Sequence, residues 1–202
     1  MNPPTVTTSE TATDRSHSPS AKVTWPSAIT VPGNRGVKVT RACTILRPAA
    51  ELYEFWRNLE NLPRIIKHPV TIRRDASGKS HWSVSAPFGD HKVEWDAVII
   101  NDKPGELIAW RSLEGAQVPN AGTVRFERAP DGTGTEVTVQ LEYDPPGGKL
   151  GALFAKLTGE EPGQQVAEAL RRFRALMEAG EIPTTEGQPV GEPQRSKGKE
   201  RA

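Results

Sequence analysis

The chain has 202 residues with 26 basic and 25 acidic side chains, so its charge gives no argument for attraction to nucleic acid or to an anionic membrane surface. A single cysteine, Cys43, excludes an intramolecular disulfide and fits a reducing compartment. No stretch is long and apolar enough to span a membrane, and the N-terminus lacks the plan of a secretory signal. We therefore expect one cytoplasmic domain of usual size with polar tails.

The two ends of the chain are predicted to be disordered tails, at residues 1–34 and 188–202. Thr, Ser, Pro and Asn dominate the first tail, which cannot bury enough apolar surface to offset the entropy of ordering. Its apolar exceptions, which are candidates for docking onto the domain, are Trp25, Ile29 and Val31. The second tail is polar and modestly basic. The folded domain is expected over residues 35–187.

The first predicted strand covers residues 37–45, where apolar and polar side chains alternate. Arg41 falls in the apolar row. It either reaches water at the edge of a sheet or places a positive charge in a cavity.

A helical stretch with an apolar side begins at Pro48. Pro63 cannot lie inside a continuous helix, because its ring clashes with the preceding turn and it has no N–H to donate. The stretch is therefore predicted to form two short helices, which break near residues 58–63 and close one end of a sheet.

Six further strands are predicted at residues 69–75, 79–86, 91–101, 106–112, 121–128 and 135–143. Polar and apolar residues alternate along them, which is typical of an antiparallel sheet with water on one side. Short connections indicate that successive strands pair. A short apolar helix at residues 150–157 then leads toward the C-terminal part of the chain.

The best helix in the sequence covers residues 162–179. Its apolar stripe recurs at helical spacing, Pro162 suits a first turn, and Gly180 stands where a helix stops. Such a stripe has to be covered. The predicted fold class is therefore α+β: a seven-stranded antiparallel sheet wrapped around a long C-terminal helix, with space for a cavity between them.

Acidic and histidine side chains give no pattern for catalysis or metal binding. Glu94 and Asp96 share one face of a strand, but that face is opposite the tryptophan row and is expected to meet water. The four histidines have no spacing typical of metal ligands; they are His17, His68, His81 and His91. We predict no catalytic residue, no metal site and no cofactor.

Aromatic side chains of the apolar rows are the one suggestive set: Trp82, Trp95, Trp110, Phe126, Tyr143 and Phe173. They can be plain core, or they can line a pocket, since a concave aromatic wall with few polar groups is how apolar ligand sites are built. Tyr143 and Arg41 are the candidates to orient a ligand oxygen.

Several short phrases carry a family resemblance: Arg47-Pro48-Ala49, Leu52 to Trp56, Asn61-Leu62-Pro63, Trp95, Pro104 to Ser112, Gly122 to Phe126, Leu170 to Arg174 and Glu181 to Thr185. Over about residues 37–187 the chain resembles the START-like (SRPBCC) helix-grip superfamily, in its polyketide cyclase/dehydrase and coenzyme Q-binding branch. The resemblance implies a sheet that grips the C-terminal helix. It also implies a bacterial relative of proteins that bind lipids, quinones, polyketides or hormones.

The expected function is noncatalytic binding of a small hydrophobic ligand, lipid-, quinone- or polyketide-like, in the cavity between sheet and helix. Access would pass beside the loop at residues 113–120 or the short helices. One alternative is a cyclase or dehydratase, which needs an inward polar group with a shifted pKa. Another is a stress or partner-binding protein with a filled core. The tails name no protein partner.

Overall fold

The computed structural model describes residues 31, 36–85, 92–145, 147 and 161–182. These form, in order, β1 (Val37–Ile45), α1 (Ala49–Arg57), a 3-10 helix (Leu59–Arg64), β2 (Val70–Arg74), β3 (Ser80–Ser85), β4 (Lys92–Lys103), β5 (Leu107–Ser112), β6 (Asn120–Arg128), β7 (Thr135–Tyr143) and α2 (Pro162–Ala179). The predicted element order is confirmed. The predicted helix at 150–157 lies outside the described residues.

The strands form one antiparallel seven-stranded sheet in the order β1-β7-β6-β5-β4-β3-β2. From β2 to β7, each strand pairs with the next one along the chain, and β1 pairs with β7. The odd-numbered residues of β7 face α2, on what we call the inner face, and the even-numbered ones lie on the outer face. The predicted α+β helix-grip architecture is therefore confirmed.

Two short helices follow β1 because the backbone leaves helical geometry at Asn58, where φ is -86° and ψ is 88°. Pro63 then lies inside the short 3-10 helix, where its missing N–H removes a single i→i−3 hydrogen bond and no long α-helix is interrupted. Leu59 and Leu62 of this helix are buried, and the helix packs against β2, whereas α1 packs against β5 and β6. The two short helices therefore cover different parts of the inner face.

Helix α2 is fixed to the sheet by its apolar stripe and by its C-terminus. Phe173 is fully buried and packs against Phe55, with ring centroids 4.9 Å apart. The guanidinium of Arg47 donates to the carbonyl oxygen of Met177 at 2.7 Å, and so supplies a cation where the helix leaves carbonyls unpaired. Gly180 ends the helix with φ at 79°, a left-handed conformation that favours glycine.

Strand β4 departs from the predicted regular alternation. Its pairing with β5 shifts between Ile99 and Asn101, which leaves Ile100 as an extra residue that is 38% exposed. The strand also runs to Lys103, two residues beyond the prediction. A bulge of this kind bends a strand and increases its twist, which helps a sheet curve around a helix. No helix in the described ranges is long and apolar enough to cross a membrane.

Candidate functional site

A cavity of about 260 Å³ lies between the inner face of the sheet, the short helices and α2. This volume is close to the lower end of the range for small-molecule pockets, ~300–1,000 Å³. Four tryptophans contribute to its wall: Trp56 of α1, Trp82 of β3, Trp95 of β4 and Trp110 of β5. Aliphatic residues of the sheet and α2 supply most of the rest.

Four of the aromatic residues singled out from the sequence meet at this cavity: Trp82, Trp95, Trp110 and Tyr143. The three tryptophans are only partly buried, because their rings face open space. Phe126 and Phe173 lie instead in the packed core, where they are 3% and 0% exposed. The aromatic set therefore divides into a cavity wall and a filled core beneath it.

Trp82 and Trp95 stack on one another across the β3–β4 pair, with ring centroids 5.8 Å apart and ring planes 14° apart. The indole N–H of Trp82 donates to the hydroxyl of Ser80 at 3.0 Å. Ser80 in turn donates to the carbonyl oxygen of Ala97 at 3.0 Å. The pair therefore presents a flat apolar surface on which the N–H of Trp82 is already satisfied.

Trp110 lies directly over Gly122 of the neighbouring strand. A Cβ at Gly122 would be 2.4 Å from the Trp110 ring, so only glycine leaves room for it. The indole N–H donates to Oδ1 of Asn120 at 3.3 Å, and the amide nitrogen of Asn120 donates to the Val118 carbonyl at 2.9 Å. This ring is thus held in place both sterically and by hydrogen bonding.

Trp56 differs from the other three tryptophans of the wall. Its Nε1 is buried and has no hydrogen-bond partner among the described residues. A buried unsatisfied donor costs free energy. Because this nitrogen is not exposed on the cavity surface, a ligand oxygen could reach it only if the ring moved.

Tyr143 is the one ionisable side chain among the described residues of the wall. Burial, and secondarily the negative charge of Glu161, raise the pKa of its phenol above the ordinary value. The phenol therefore remains protonated at neutral pH and can donate or accept a hydrogen bond.

A family model described as polyketide cyclase/dehydrase and lipid transport matches residues 45–171, well over half of the chain. The chain belongs to this family. A Deinococcus radiodurans protein of known structure shares 39% identity, with 71% of this chain and 98% of that chain covered and a TM-score of 0.59. No curated protein sequence gives a significant match.

Two more distant structures show the fold alone. A Thermus thermophilus protein has 22% identity and a TM-score of 0.52, covering 71% of this chain and 99% of that chain. The Zhui aromatase/cyclase from Streptomyces has 15% identity and a TM-score of 0.50, covering 73% of this chain and 99% of that one. This member of the polyketide cyclase/dehydrase family thus has the helix-grip fold.

Arg41 does not line the cavity in the described part of this family member. Its guanidinium lies 3.9 Å from the carboxylate of Glu161, and a Cβ at Gly163 would collide with it. Glu161 accepts a hydrogen bond from the Gly163 amide at 3.1 Å as the cap of α2. Arg41 thus reaches water beside the start of α2, the first of the two possibilities that the sequence left open.

The acidic pair and His81 of this family member lie on the outer face, away from the cavity. Nδ1 of His81 is 2.8 Å from the carboxylate of Asp96, and the Lys79 ammonium is 2.9 Å from the same group. Glu94 is 4.0 Å from the other nitrogen of His81. No group of three His, Cys, Asp or Glu side chains able to hold a metal occurs in the described ranges.

Three polar residues of the wall were not predicted from the sequence: Ser80, Asn120 and Gln165. The signal for the first two was present, since Ser80 precedes Trp82 by two residues and Asn120 precedes Gly122 by two, so each extends an inward row. Gln165 shares a face of α2 with Ala169, but a polar residue beside an apolar stripe has no distinctive signature.

Proposed function

We propose that this protein binds one small, neutral, apolar molecule in the cavity and does not change it chemically. The observation that carries the proposal is the chemistry of the wall. No Asp, Glu, Lys, Arg or His lines the cavity in the described ranges, and the polar atoms of Trp82 and Trp110 are paired within the protein.

An ionised ligand would lose its hydration without gaining a partner of opposite charge, which is costly. A neutral apolar ligand would gain about 25 cal/mol for each Å² of apolar area removed from water, less the cost of ordering. The wall therefore discriminates by charge before it discriminates by shape.

Flat molecules suit this wall best because the stacked Trp82–Trp95 pair presents ring faces. The candidate partner of a ligand oxygen is the phenol of Tyr143. Quinone-, polyketide- and lipid-like ligands with few polar atoms all fit this description. The family description, which includes lipid transport, supports the proposal, and so does the fold shared with an aromatase/cyclase.

Catalysis by a cyclase or dehydratase would need a positioned acid or base. Tyr143 is the one candidate on the described wall, and its raised pKa keeps the phenol protonated near neutral pH, so little phenolate is present to act as a base and the phenol is a poorer acid. A filled core is disfavoured by the cavity and by the partial exposure of the three tryptophans.

The test is a panel of matched pairs, such as 2-acetylnaphthalene and 2-naphthoate, in which shape is kept and charge is changed. Binding is measured at neutral pH by calorimetry and by native mass spectrometry. We expect the neutral member of each pair to bind at least about tenfold more tightly, equivalent to about 1.4 kcal/mol. Tighter binding of the carboxylates would refute the proposal.

Trp110→Ala is the variant for this experiment, with Arg111→Ala as its control. Both positions are on β5, but Trp110 faces the cavity and Arg111 is exposed on the outer face. We expect Trp110→Ala to weaken binding of the neutral ligands more than it lowers stability, and Arg111→Ala to leave affinity unchanged. A folded Trp110→Ala protein with unaltered affinity would show that the ligand lies elsewhere.

A further inference from the structure

The outer face of the sheet is buried over three neighbouring strands, β5, β6 and β7. Five side chains that point away from the cavity are nearly inaccessible: Ala109 at 0%, Ala121 at 1%, Thr123 at 1%, Gln140 at 3% and Glu142 at 0% exposed. On the same face, Thr40 of β1 and Glu94 of β4 are exposed. The burial is therefore confined to a narrow band, which we call the outer patch.

None of the described helices covers the outer patch. Helix α1, the 3-10 helix and α2 all contribute side chains to the cavity or to the core of the inner face. In an antiparallel sheet with one bare face, polar residues of that face should meet water. A glutamate at 0% exposure is incompatible with a bare face.

The surroundings of Glu142 indicate which chemical groups a segment that covers the outer patch has to supply. Among the described residues, neither of its carboxylate oxygens has a hydrogen-bond partner. The ammonium of Lys38, a described residue, lies 3.9 Å from this carboxylate. Burial of a carboxylate is costly unless charge and hydrogen bonds compensate it, so the cover should bring cationic or N–H groups.

The position of the chain before β1 identifies the occupant. A Cβ at Gly36 would be 2.7 Å from Cγ of Glu142, so the chain reaches β1 across this side chain. Val31, five residues earlier, is buried at 3% exposure. Five residues span up to about 17 Å, whereas β7 and β5 are only about 10 Å apart as second neighbours in a sheet.

We propose that residues 22–35, Lys-Val-Thr-Trp-Pro-Ser-Ala-Ile-Thr-Val-Pro-Gly-Asn-Arg, form a strap that lies across the outer patch. The segment carries two cations, Lys22 and Arg35, and no acidic residue, which complements Glu142. Its large apolar side chains would pack on the small Ala109 and Ala121, where a second layer can approach closely.

Other segments of the chain suit the outer patch less well. Residues 148–160 have to connect β7 with α2, which lies on the inner side. Residues 183–202 follow the C-terminus of α2, which is fixed beside Arg47 on that same side. A second copy of the chain is the remaining occupant, and the experiment separates it.

Paramagnetic NMR on the full chain tests the strap. A nitroxide is attached at Ser27→Cys in a Cys43→Ser background, and we expect broadening of the amide signals of Ala109, Ala121 and Thr123. The same label at Ser9→Cys, upstream of the strap, should leave these signals sharp. Absence of broadening from position 27 would overturn the proposal.

A mixed sample separates the strap from a second copy. Spin-labelled chains without isotope are added to isotope-labelled chains without nitroxide. Unbroadened signals in this sample, together with broadening in the first, support a strap within one chain. Broadening in the mixed sample would assign the outer patch to an interface between copies and overturn the proposal.

Hydrogen exchange gives an independent readout. Ile29→Ser should accelerate exchange of the amides at residues 121–123 by about tenfold, because the proposed strap would lose an apolar side chain that packs on the outer patch. Val6→Ser makes a similar apolar-to-polar change upstream of the strap and should have no effect. Equal exchange in the two variants would contradict the strap.

Discussion

Gly122 shows how one missing side chain shapes the cavity. The ring of Trp110 occupies the space where a Cβ would be, and the carbonyl oxygen of Gln140 is 2.6 Å from the same point. The flat wall at Trp110 therefore depends on the absence of a methyl group on the next strand. From sequence alone, a glycine inside a strand is expected to weaken that strand. Here Gly122 instead leaves the space that the Trp110 indole occupies.

Gly122→Ala should lower the free energy of unfolding by about 1–3 kcal/mol, as expected for overpacking. It should also weaken ligand binding, because Trp110 has to move. Chemical denaturation and calorimetry measure the two effects. Gly147→Ala, whose Cβ would have no atom within 4 Å, is the control and should change stability by less than about 0.5 kcal/mol. Equal effects would contradict this account of Trp110.

At the scale of elements, β3 and β4 are joined on the outer face by charge. Hydrogen bonds from Lys79, and then from His81, hold the pKa of Asp96 below its ordinary value. A depressed pKa means that the carboxylate stabilises the folded state above the ordinary pKa of Asp. This stabilisation is lost as the pH falls through the folded-state value.

Asp96→Asn should therefore reduce stability at neutral pH by about 0.5 kcal/mol, a small effect because the pair is partly exposed to solvent. It should also make the free energy of unfolding fall less steeply below about pH 4. Urea denaturation over a pH series measures this slope. Glu114→Gln, in the exposed turn before β6, is the control. A slope identical to that of the unaltered protein would contradict the assignment.

For the whole molecule, the cavity predicts a binding activity that does not depend on pH. The one ionisable group on its described wall, Tyr143, has a raised pKa. Affinity for a neutral ligand should therefore be constant from about pH 5 to about pH 9, where a free phenol is still protonated. Calorimetry across this range is the measurement. A sigmoidal dependence would reveal a titrating group in the site and favour the cyclase alternative.

The fold of the whole molecule was accessible from sequence because strand alternation and the stripe of α2 repeat many times. The cavity was less accessible because lining and core share one apolar row. Phe126 and Trp110 both follow this pattern, yet one is packed and the other faces open space. Whether such a residue is packed or faces open space depends on side chains from α1 and α2. The alternation along a strand carries no information about those side chains.

The β4 bulge and the buried state of Glu142 could not be predicted either. Ile100 ends a run of four apolar residues, 97–100, in which no alternation marks where an extra residue is inserted. Glu142 lies in the polar row of the cleanest predicted strand, and only a second layer on that face makes it inaccessible. Both features depend on what lies across the sheet, whereas periodicity reports only which face a residue occupies.

The internal pairing of the Trp82 and Trp110 N–H groups has a consequence for hydration. Water is retained in a cavity by polar partners, and a wall that has used its own donors offers few of them. Ligand uptake would then displace little well-bound water, so the favourable entropy of ordinary hydrophobic transfer should be small. Binding should instead release heat at room temperature and show a negative heat-capacity change, the calorimetric signature of an apolar guest in a poorly hydrated host.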